Sequence, residues 1–366
     1  DFGDLPLFDA TTYPMIAALR KTRPAPDHTV RALTVTDLED TEHMALTAQS
    51  AFPLPQHALT SAEWQLSDPA ARALMDKLRA AGKPLGEYVE GKFYRGVLTG
   101  LNEAFVIHEA KRAELIAADP RSAEIIKPFL RGRDVKRWRV EPKGLWLIAI
   151  QNSADQTASN AWGKAQNEIE ARAIFRSSYP AIHDHLSTFE DKLHIRQDQG
   201  RYWWELRACA YYAEFEKPKI VYPDIAQRPC FAFDEQGFYS GNTTYFIPCS
   251  ESWLTGILNS PVVGFFYGQI SSQIQNGYYR FFSQYVAQVP IPDAPNALRT
   301  KIAALAEKCL AAAKDHPERL PTLEAQLNAL VYQAYGLNAE EIALIEAQLA
   351  GKAGVESGET EMEEVD

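Results

Sequence analysis

The segment Lys127-Pro-Phe-Leu-Arg-Gly-Arg-Asp-Val-Lys-Arg-Trp-Arg139 is the most informative stretch of the chain, because it interleaves cations with apolar side chains. Gly132 lets the backbone turn or approach a partner closely. Arginine side chains match the geometry of phosphate and can also form two hydrogen bonds to guanine. These residue types fit contact with a nucleic acid, and they fit a second interpretation equally well. The alternative is a solvated loop in which Asp134 pairs with a neighbouring arginine.

The charge of the chain is distributed unevenly along its 366 residues. The net charge is −11, yet residues 127–143 contain seven basic and two acidic residues. Residues 302–366 contain 4 basic and 13 acidic residues, so the first 301 residues carry only −2. The acidity of the whole chain therefore says little about what its body binds.

Short apolar runs on both sides of the basic segment indicate a fold that mixes helices and strands. Residues 145–150, 219–222, 230–233 and 238–247 have the composition of strands. The stretch Asp234-Glu-Gln-Gly237 between the last two has the chemistry of a hairpin turn. We expect an α+β fold in which a twisted mixed sheet carries peripheral helices and is followed by a C-terminal helical hairpin.

Helical spacing predicts that C-terminal hairpin. Apolar side chains recur every three or four residues in 298–309 and again in 323–331. Gly336 then ends a helix, and Asn338 with Glu341 resembles a capping box that begins the next one. Helical patterns also occur in residues 67–79, 112–118, 253–259 and 262–270.

Motifs of well-known catalytic sites are absent from the sequence. It contains no glycine-rich dinucleotide or phosphate loop, no Gly-x-Ser-x-Gly and no His-Glu-x-x-His. Glu90-Gly-Lys92 and Glu141-Pro-Lys143 match a tripeptide of many nuclease sites, but such a tripeptide arises often by chance. His183, His185 and His194 have no acidic or cysteine cluster to complete a metal site, so we expect solvent-facing histidines and no metal.

The cysteines and the apolar runs bear on the environment of the protein. The chain has only four cysteines, which lie 21, 19 and 60 residues apart. This spacing fits neither a disulfide framework nor a zinc knuckle, so we expect a reduced, cytoplasmic setting. The longest strongly apolar run, 145–150, is far too short to span a bilayer.

Two further loops could contact bases. Gln273-Ile-Gln-Asn-Gly-Tyr-Tyr-Arg-Phe-Phe-Ser-Gln284 combines amides, tyrosines and an arginine, which suit base edges and phosphate. The alternative is a core strand in which Tyr279, Phe281 and Tyr285 alternate inward. Ser240-Gly-Asn-Thr-Thr-Tyr245 offers hydroxyls and an amide beside a glycine, and it equally suits the edge of a sheet.

Together these segments resemble the specificity domain of type IIG restriction–modification enzymes and related adenine-specific DNA methyltransferases. Six motifs occur in the order of that family: 127–138, Tyr202-Trp-Trp-Glu-Leu-Arg207, Lys219-Ile-Val-Tyr-Pro-Asp224, Asn242-Thr-Thr-Tyr-Phe246, Leu258-Asn-Ser260 and Gly277-Tyr-Tyr-Arg-Phe281. Residues 94–102 resemble the start of that domain, and residues 330–342 resemble the helical segment that closes these proteins.

The resemblance implies a domain organisation. Residues 1–25 are similar to the tail end of a methyltransferase domain, and residues 26–85 form a connecting segment. Residues 86–295 are the expected DNA target-recognition domain, 296–350 a helical segment and 351–366 a disordered acidic tail. The chain would then be a C-terminal fragment of a larger enzyme.

The departures from the family pattern concern catalysis. The Asn-Pro-Pro-Tyr loop and the segment that binds S-adenosylmethionine are both absent from this sequence. We therefore expect no catalytic residue and no cofactor in this chain. S-adenosylmethionine would belong to the parent enzyme, and Mg²⁺ only to a parent that carries a nuclease. The implied partners are double-stranded DNA and the missing N-terminal methyltransferase domain, with no membrane.

The resemblance and the residue types predict the DNA-binding residues. Those assigned mainly to phosphate are Arg131, Arg133, Lys136 and Arg137. Those assigned to base edges are Asn242, Thr243, Gln275, Asn276, Tyr278 and Arg280. Further DNA-binding candidates are Lys92, Arg95 and Lys127.

Three alternatives remain open at the level of the sequence. The chain could be a stand-alone DNA-binding module without a catalytic partner. It could be an enzyme in which the aromatic loops form a pocket for a small molecule. It could also be a scaffold in which the helical hairpin at 297–350 mediates dimerisation.

Overall fold

The structure, a computed structural model, describes residues 15–33, 35, 51–56, 59, 69–156, 158–271, 273–274 and 277–353. The strands in these ranges are β1 (Thr29–Ala32), β2 (Phe52–Pro55), β3 (Gly82–Pro84), β4 (Tyr94–Arg95), β5 (Val106–His108), β6 (Ile126–Leu130), β7 (Val135–Lys136), β8 (Arg139–Val140), β9 (Leu145–Ile148), β10 (Lys219–Pro223), β11 (Ile225–Ala226), β12 (Ala232–Asp234), β13 (Tyr239–Ser240), β14 (Thr244–Pro248), β15 (Gln273–Ile274), β16 (Tyr278–Arg280) and β17 (Pro290–Pro292).

The same ranges also contain α-helices. They are α1 (Pro69–Ala80), α2 (Leu85–Tyr88), α3 (Asn102–Phe105), α4 (Glu109–Ala118), α5 (Ser122–Ile125), α6 (Glu168–Ser178), α7 (Pro180–Ser187), α8 (Glu190–Ile195), α9 (Ser252–Leu258), α10 (Pro261–Ile270), α11 (Ser283–Val286), α12 (Asn296–Asp315), α13 (Leu320–Ala334) and α14 (Ala339–Ala353). No helix in the described part of the chain is long and apolar enough to cross a membrane.

A four-stranded antiparallel sheet in the order β12-β10-β14-β4 separates two hydrophobic cores. Ile220 and Tyr222 of β10 face the core that also contains Leu327 of helix α13. Val221 of β10 and Phe246 of β14 face the other core. Because successive side chains of a strand point to opposite faces, this sheet is buried on both sides, which explains its nearly continuous apolar sequence.

The two cores draw on different parts of the chain. The first core includes Leu74 of α1 and Ile345 of α14, so segments on both sides of residues 86–295 pack on the central sheet. The second core includes Phe129 and Leu147 of a mixed sheet in the order β13-β6-β9-β5. In that sheet β13 runs parallel to β6, with Tyr239 opposite Phe129, whereas β9 runs antiparallel to β6. The expected α+β fold with a mixed sheet is confirmed.

The hairpin expected at Asp234-Glu-Gln-Gly237 is wrong. Strand β12 pairs with β10, and β13 pairs with β6 in the other sheet, so the chain crosses between sheets at this turn. The carboxylate of Asp234 accepts hydrogen bonds from the backbone N–H groups of Gln236 and Phe238, at 2.8 and 3.0 Å. It also accepts a 2.5 Å bond from the ammonium of Lys219. These hydrogen bonds fix the conformation of the turn between β12 and β13.

A two-residue turn joins β7 to β8 inside the basic segment. Lys136 pairs with Arg139 across the hairpin, so Arg137 and Trp138 form the turn. Trp138 has φ +71°, a left-handed conformation that bulky residues rarely adopt. Such a conformation costs about 1–3 kcal/mol and persists only where surrounding contacts fix it.

The C-terminal helical hairpin is present, and the helix predicted to begin near Asn338 follows it. Helices α12 and α13 pack against each other as predicted, and α14 adds a third helix. Gly336 has φ +62° and lies between α13 and α14. The side chains of Asn338 and Glu341 each accept the other residue's backbone N–H, at 2.9 and 2.8 Å, which confirms the capping box.

Candidate nucleic-acid interface

Residues 240–244, called the 240–244 loop here, connect β13 to β14 and contact the basic segment. The backbone N–H of Gly241 donates to the carbonyl of Leu130 at 3.0 Å. The backbone N–H of Gly132 donates to Oγ1 of Thr243 at 3.1 Å. The close approach that the sequence predicts for Gly132 is therefore present, and its partner is Thr243.

The same loop contacts strand β4 and the residue that follows it. A Cβ atom on Gly96 would lie 1.9 Å from the carbonyl oxygen of Gly241, so this contact requires glycine. Nε of Arg95 donates to the carbonyl of Asn242 at 2.8 Å. Arg95 and Asn242, predicted separately, are thus neighbours.

A third contact links the loop to β16. The carbonyl of Thr243 accepts the backbone N–H of Asp224 at 2.9 Å, and the carbonyl of Asp224 accepts the N–H of Phe281 at 2.7 Å. Strand β11 follows Asp224 directly and pairs with β16, placing Ile225 opposite Arg280. Three segments distant in sequence therefore contact the 240–244 loop directly, and β16 joins them through Asp224 and β11.

Tyr245, at the end of the 240–244 loop, is influenced by the positive charges of Arg95 and Arg280. The Arg95 guanidinium lies 5.9 Å from the centroid of the Tyr245 ring. Burial raises the pKa of Tyr245, while the charges of Arg95 and Arg280 oppose this rise. Both cations therefore act on the same side chain, which stacks on Tyr222 with the ring centroids 5.6 Å apart.

Four of the predicted basic residues form ion pairs. The partners are Glu90 for Lys92 at 2.7 Å, Glu216 for Lys127 at 2.8 Å, Asp134 for Arg131 at 2.9 Å and Glu324 for Arg137 at 2.7 Å. Arg131 bonds both carboxylate oxygens of Asp134, which is the pairing that the sequence left open as an alternative. Burial lowers the pKa of the Arg137 guanidinium, and the Glu324 carboxylate opposes this shift.

The other predicted basic residues present their charges differently. Arg95, Arg133, Lys136 and Arg280 are exposed. None of the ion pairs among the described residues includes any of the four. Their charges are therefore available to an external anion.

Arg228, which the sequence reasoning missed, belongs with this group. It is exposed and follows β11, and the ion pairs between described residues do not include it. Burial raises the pKa of the Cys230 thiol to about 11, while the charges of Arg137, Lys136 and Arg228 oppose this. Arg228 is two residues from Cys230, whose thiol lies 3.7 Å from the carbonyl of Val135, the residue before Lys136. The only sequence signal was its position four residues after Asp224, at the end of a family motif.

The amide candidates are only partly covered by the structure. Gln275 and Asn276 lie outside the described residues. Tyr278 is half-buried and pairs with Ile274 across β15 and β16. Tyr279 and Phe281 are buried, so the inward alternation expected for this strand is confirmed at these two residues.

The features considered as catalytic or metal sites have local explanations. Lys92 pairs with Glu90, and Lys143 approaches Glu141 at 3.6 Å, so each nuclease-like tripeptide bonds within itself. His183 is buried, and the expectation that it faces solvent is wrong, because it packs against the core of the α6–α7 region. In the described ranges no cluster of three or more His, Cys, Asp or Glu could hold a metal ion.

A cavity of about 350 Å³ lies at the other end of strand β6. Its polar lining includes Glu124, Lys127, Tyr179 and Glu216. The hydroxyl of Tyr179 donates to Glu124 at 2.9 Å, and Lys127 donates to Glu216 at 2.8 Å. Its lining differs from the aromatic loop 273–284 that suggested a small-molecule pocket.

Gly132→Ala is expected to lower the free energy of unfolding by about 1–3 kcal/mol, because added atoms force a packed backbone apart. The new Cβ would lie 2.7 Å from the carbonyl oxygen of Thr243. Urea unfolding followed by tryptophan fluorescence measures the change. Gly163→Ala is the matched control, since its Cβ would meet Ser153 at an ordinary 3.6 Å. Equal effects of the two substitutions would contradict the assigned contact.

Comparison with known proteins finds a similar domain and similar proteins. Residues 127–291 match the TaqI-like C-terminal specificity domain. Type II methyltransferase M.PaeR7I of Pseudomonas aeruginosa is 25% identical over 361 residues, which are 93% of this chain and 56% of that protein. Type II methyltransferase M.XhoI of Xanthomonas vasicola is 24% identical over 274 residues, which are 67% of this chain and 47% of that protein. The chain thus spans about half the length of these relatives.

Among solved structures, the type IIL restriction–modification enzyme MmeI in complex with DNA aligns with a TM-score of 0.49 and 15% identity. The alignment covers 72% of this chain and 35% of that one. The matched range 127–291 contains the basic segment, the 240–244 loop and β16. Residues 127–291 are therefore similar to the TaqI-like C-terminal specificity domain.

Proposed function

We propose that this chain recognises a short DNA sequence on behalf of an adenine-specific DNA methyltransferase or a type IIG restriction–modification enzyme. One observation carries the proposal: Arg95, Arg133 and Arg280 are exposed, lie outside the ion pairs of the described residues, and belong to segments that meet at or beside the 240–244 loop. The methyltransferase activity named for the relatives, and a methyltransferase domain as partner, are part of the same proposal.

In this proposal the phosphate contacts come from Arg133, Lys136 and Arg228. All three are exposed and outside the ion pairs of the described residues. Cations that neutralise phosphates release counterions, which supplies binding energy that does not depend on sequence. Such contacts fix the register of the protein on the duplex.

The base-edge contacts come from residues at and around the 240–244 loop. Arg280 offers a guanidinium to guanine, and Asn242 and Thr243 offer an amide and a hydroxyl. Tyr278 also stays in this group, as do the sequence-based candidates Gln275 and Asn276. Arg95 lies beside Asn242 and can serve either a phosphate or a base.

The paired cations have a different role in the proposal. Arg131 closes on Asp134 and thereby fixes the turn that brings Gly132 to Thr243. Arg137 is only 17% exposed and is engaged by Glu324. Lys92 and Lys127 form exposed pairs, which are typically weak and exchange readily. We therefore keep these four as supporting residues rather than primary contacts.

Arg280→Ala is expected to reduce discrimination between the preferred duplex and a scrambled one, because a good base contact contributes about 1–3 kcal/mol of discrimination. Competition binding with both duplexes measures this ratio. Lys136→Ala is the control, because removing a phosphate interaction should weaken both duplexes alike. An equal loss on both duplexes for Arg280→Ala would contradict its readout role.

Selection from a pool of randomised duplexes tests the function itself. The 366-residue chain is expected to enrich one short sequence over successive rounds. Binding that never enriches a sequence would contradict specific recognition. Thermal stabilisation by small metabolites, but not by DNA, would instead support the small-molecule alternative.

Since duplex DNA is the proposed partner and the four cysteines are free thiols, we place the protein in the cytoplasm.

A further inference from the structure

One carboxylate oxygen of Glu324 accepts hydrogen bonds from two consecutive residues of the basic segment. The indole N–H of Trp138 donates to Oε1 of Glu324 at 2.5 Å, and Nε of Arg137 donates to the same atom at 2.7 Å. Glu324 lies on helix α13, far along the chain from both donors. The carboxylate is 24% exposed and Trp138 is 1% exposed, so the contact is well shielded from solvent.

These two donors are the turn residues of the β7–β8 hairpin. Trp138 occupies the left-handed position that a type II turn normally gives to glycine. Besides the indole bond to Glu324, the backbone N–H of Trp138 donates to the carbonyl of Phe231 at 3.0 Å. Arg137 also donates to the carbonyl of Pro229 at 3.0 Å. The strained turn is therefore held from both sides, and Glu324 bonds the side chains of both turn residues.

Two exposed cations flank the residues that Glu324 fixes. Lys136 directly precedes Arg137 in the hairpin, and Arg228 directly precedes Pro229, whose carbonyl Arg137 binds. The ion pairs among described residues include neither cation. If the turn loses these contacts, the direction of the Lys136 side chain is no longer fixed. The segment that contains Arg228 then also loses the hydrogen bond between Arg137 and the carbonyl of Pro229.

We propose that Glu324 is a positioning residue for DNA binding, which holds the β7–β8 turn so that Lys136 and Arg228 meet the phosphates. Helix α13 is then part of the DNA-recognition unit and not only a closing element. This inference rests on the proposed function. It predicts a change in DNA affinity that is opposite in sign to the change expected from net charge alone. Removing an acidic residue near cations would ordinarily strengthen DNA binding, because it removes repulsion of the phosphates.

Glu324→Ala is expected to weaken binding to a mixed-sequence duplex despite the removal of a negative charge. The slope of log affinity against log salt should become shallower by about 0.9 for each phosphate that is no longer neutralised. One such phosphate corresponds to about eightfold weaker binding near 0.1 M salt. Glu324→Gln keeps an acceptor for both N–H groups and is expected to restore most of the slope.

Two further variants separate positioning from charge and from unfolding. Glu340→Ala removes an equal charge from an exposed site on α14 and is expected to leave the slope unchanged. Trp138→Phe changes no charge and keeps most of the ring, yet it removes the indole donor to Glu324. It is expected to weaken binding in the same direction as Glu324→Ala, so the test survives if the alanine variant unfolds.

The outcomes distinguish this inference from the proposed function. If Lys136→Ala lowers the slope while Glu324→Ala and Trp138→Phe keep the wild-type slope, the positioning role is overturned and DNA recognition stands. If the wild-type chain itself shows no salt-dependent binding, the proposed function fails instead. A double variant of Glu324→Ala and Lys136→Ala is expected to lose less affinity than the sum of the two single variants, and a fully additive effect would contradict action through Lys136.

Discussion

Asp234→Ala is expected to lower the free energy of unfolding by about 3–5 kcal/mol, because removing one partner of a buried ion pair leaves the other charge uncompensated. Lys219 and Asp234 are both 0% exposed, and their charged groups lie 2.5 Å apart. Without Asp234 the Lys219 ammonium retains the carbonyl of Phe215 as a hydrogen-bond acceptor and the ring of Phe246 at 5.9 Å, and neither carries a negative charge. Burial already lowers the pKa of Lys219, and Asp234 opposes this shift.

The reverse substitution provides an internal comparison by urea unfolding. Lys219→Met leaves Asp234 with the backbone N–H groups of Gln236 and Phe238, so we expect a smaller loss of stability than for Asp234→Ala. The double variant Lys219→Met with Asp234→Asn should be more stable than Asp234→Ala alone, since it buries no charge. A destabilisation below about 1 kcal/mol for Asp234→Ala, the size typical of exposed pairs, would contradict the assigned burial.

Replacing Arg133 and Lys136 together by alanine is expected to weaken duplex binding about 60-fold near 0.1 M salt. Each phosphate that is no longer neutralised reduces the salt slope by about 0.9, and two of them act over the tenfold range between 0.1 M and the 1 M reference. The effect should be equal on all duplex sequences, because phosphate contacts carry no base information. Electrophoretic or fluorescence titration at several salt concentrations measures it.

A matched double variant controls for net charge. Lys301 and Lys308 are exposed on helix α12 and outside the family range 127–291. Replacing both by alanine changes the net charge by the same amount, and we expect little change in affinity. If the two double variants weakened binding equally, only the overall charge of the chain would matter, and the assigned contact surface would be wrong.

Local chemistry accounts for the parts of the fold that the sequence predicted. The capping box of Asn338 and Glu341 and the helix end at Gly336 depend on neighbouring residues, and both are present. Residues 219–222 form a strand because the side chains of Ile220 and Tyr222 pack in one core and that of Val221 packs in the other. Gly132 was correctly predicted as a point of close approach, since only a residue without a Cβ tolerates the Thr243 backbone there.

Long-range pairing explains the errors. Asp234 looks like a hairpin-turn residue, but its partner is Lys219, a residue type that is rarely buried in proteins and that this fold buries completely. The same turn therefore leads β13 to strand β6 rather than back to β12. Strand patterns identify segments that pair, and they do not identify which segments pair with each other.

In the candidate site, too, local residue types were predicted correctly and long-range contacts were not. Residue types identified the basic segment and the 240–244 loop, and the structure brings them together through Gly132 and Thr243. The pairing of Arg137 with Glu324 spans 187 residues and could not be predicted from either segment alone. Arg228 is a single cation outside any basic cluster, and only the contacts of Pro229 and Cys230 with the basic segment mark it in the fold.

Salt dependence of duplex binding by the unaltered chain tests the central claim most directly. If Arg133, Lys136 and Arg228 each meet a phosphate, log affinity should fall linearly with log salt, with a slope of at least about 2.7 in magnitude. Each alanine substitution of these three should then reduce that slope by about 0.9. A flat dependence, or a slope that none of the three substitutions changes, would contradict DNA recognition by this surface.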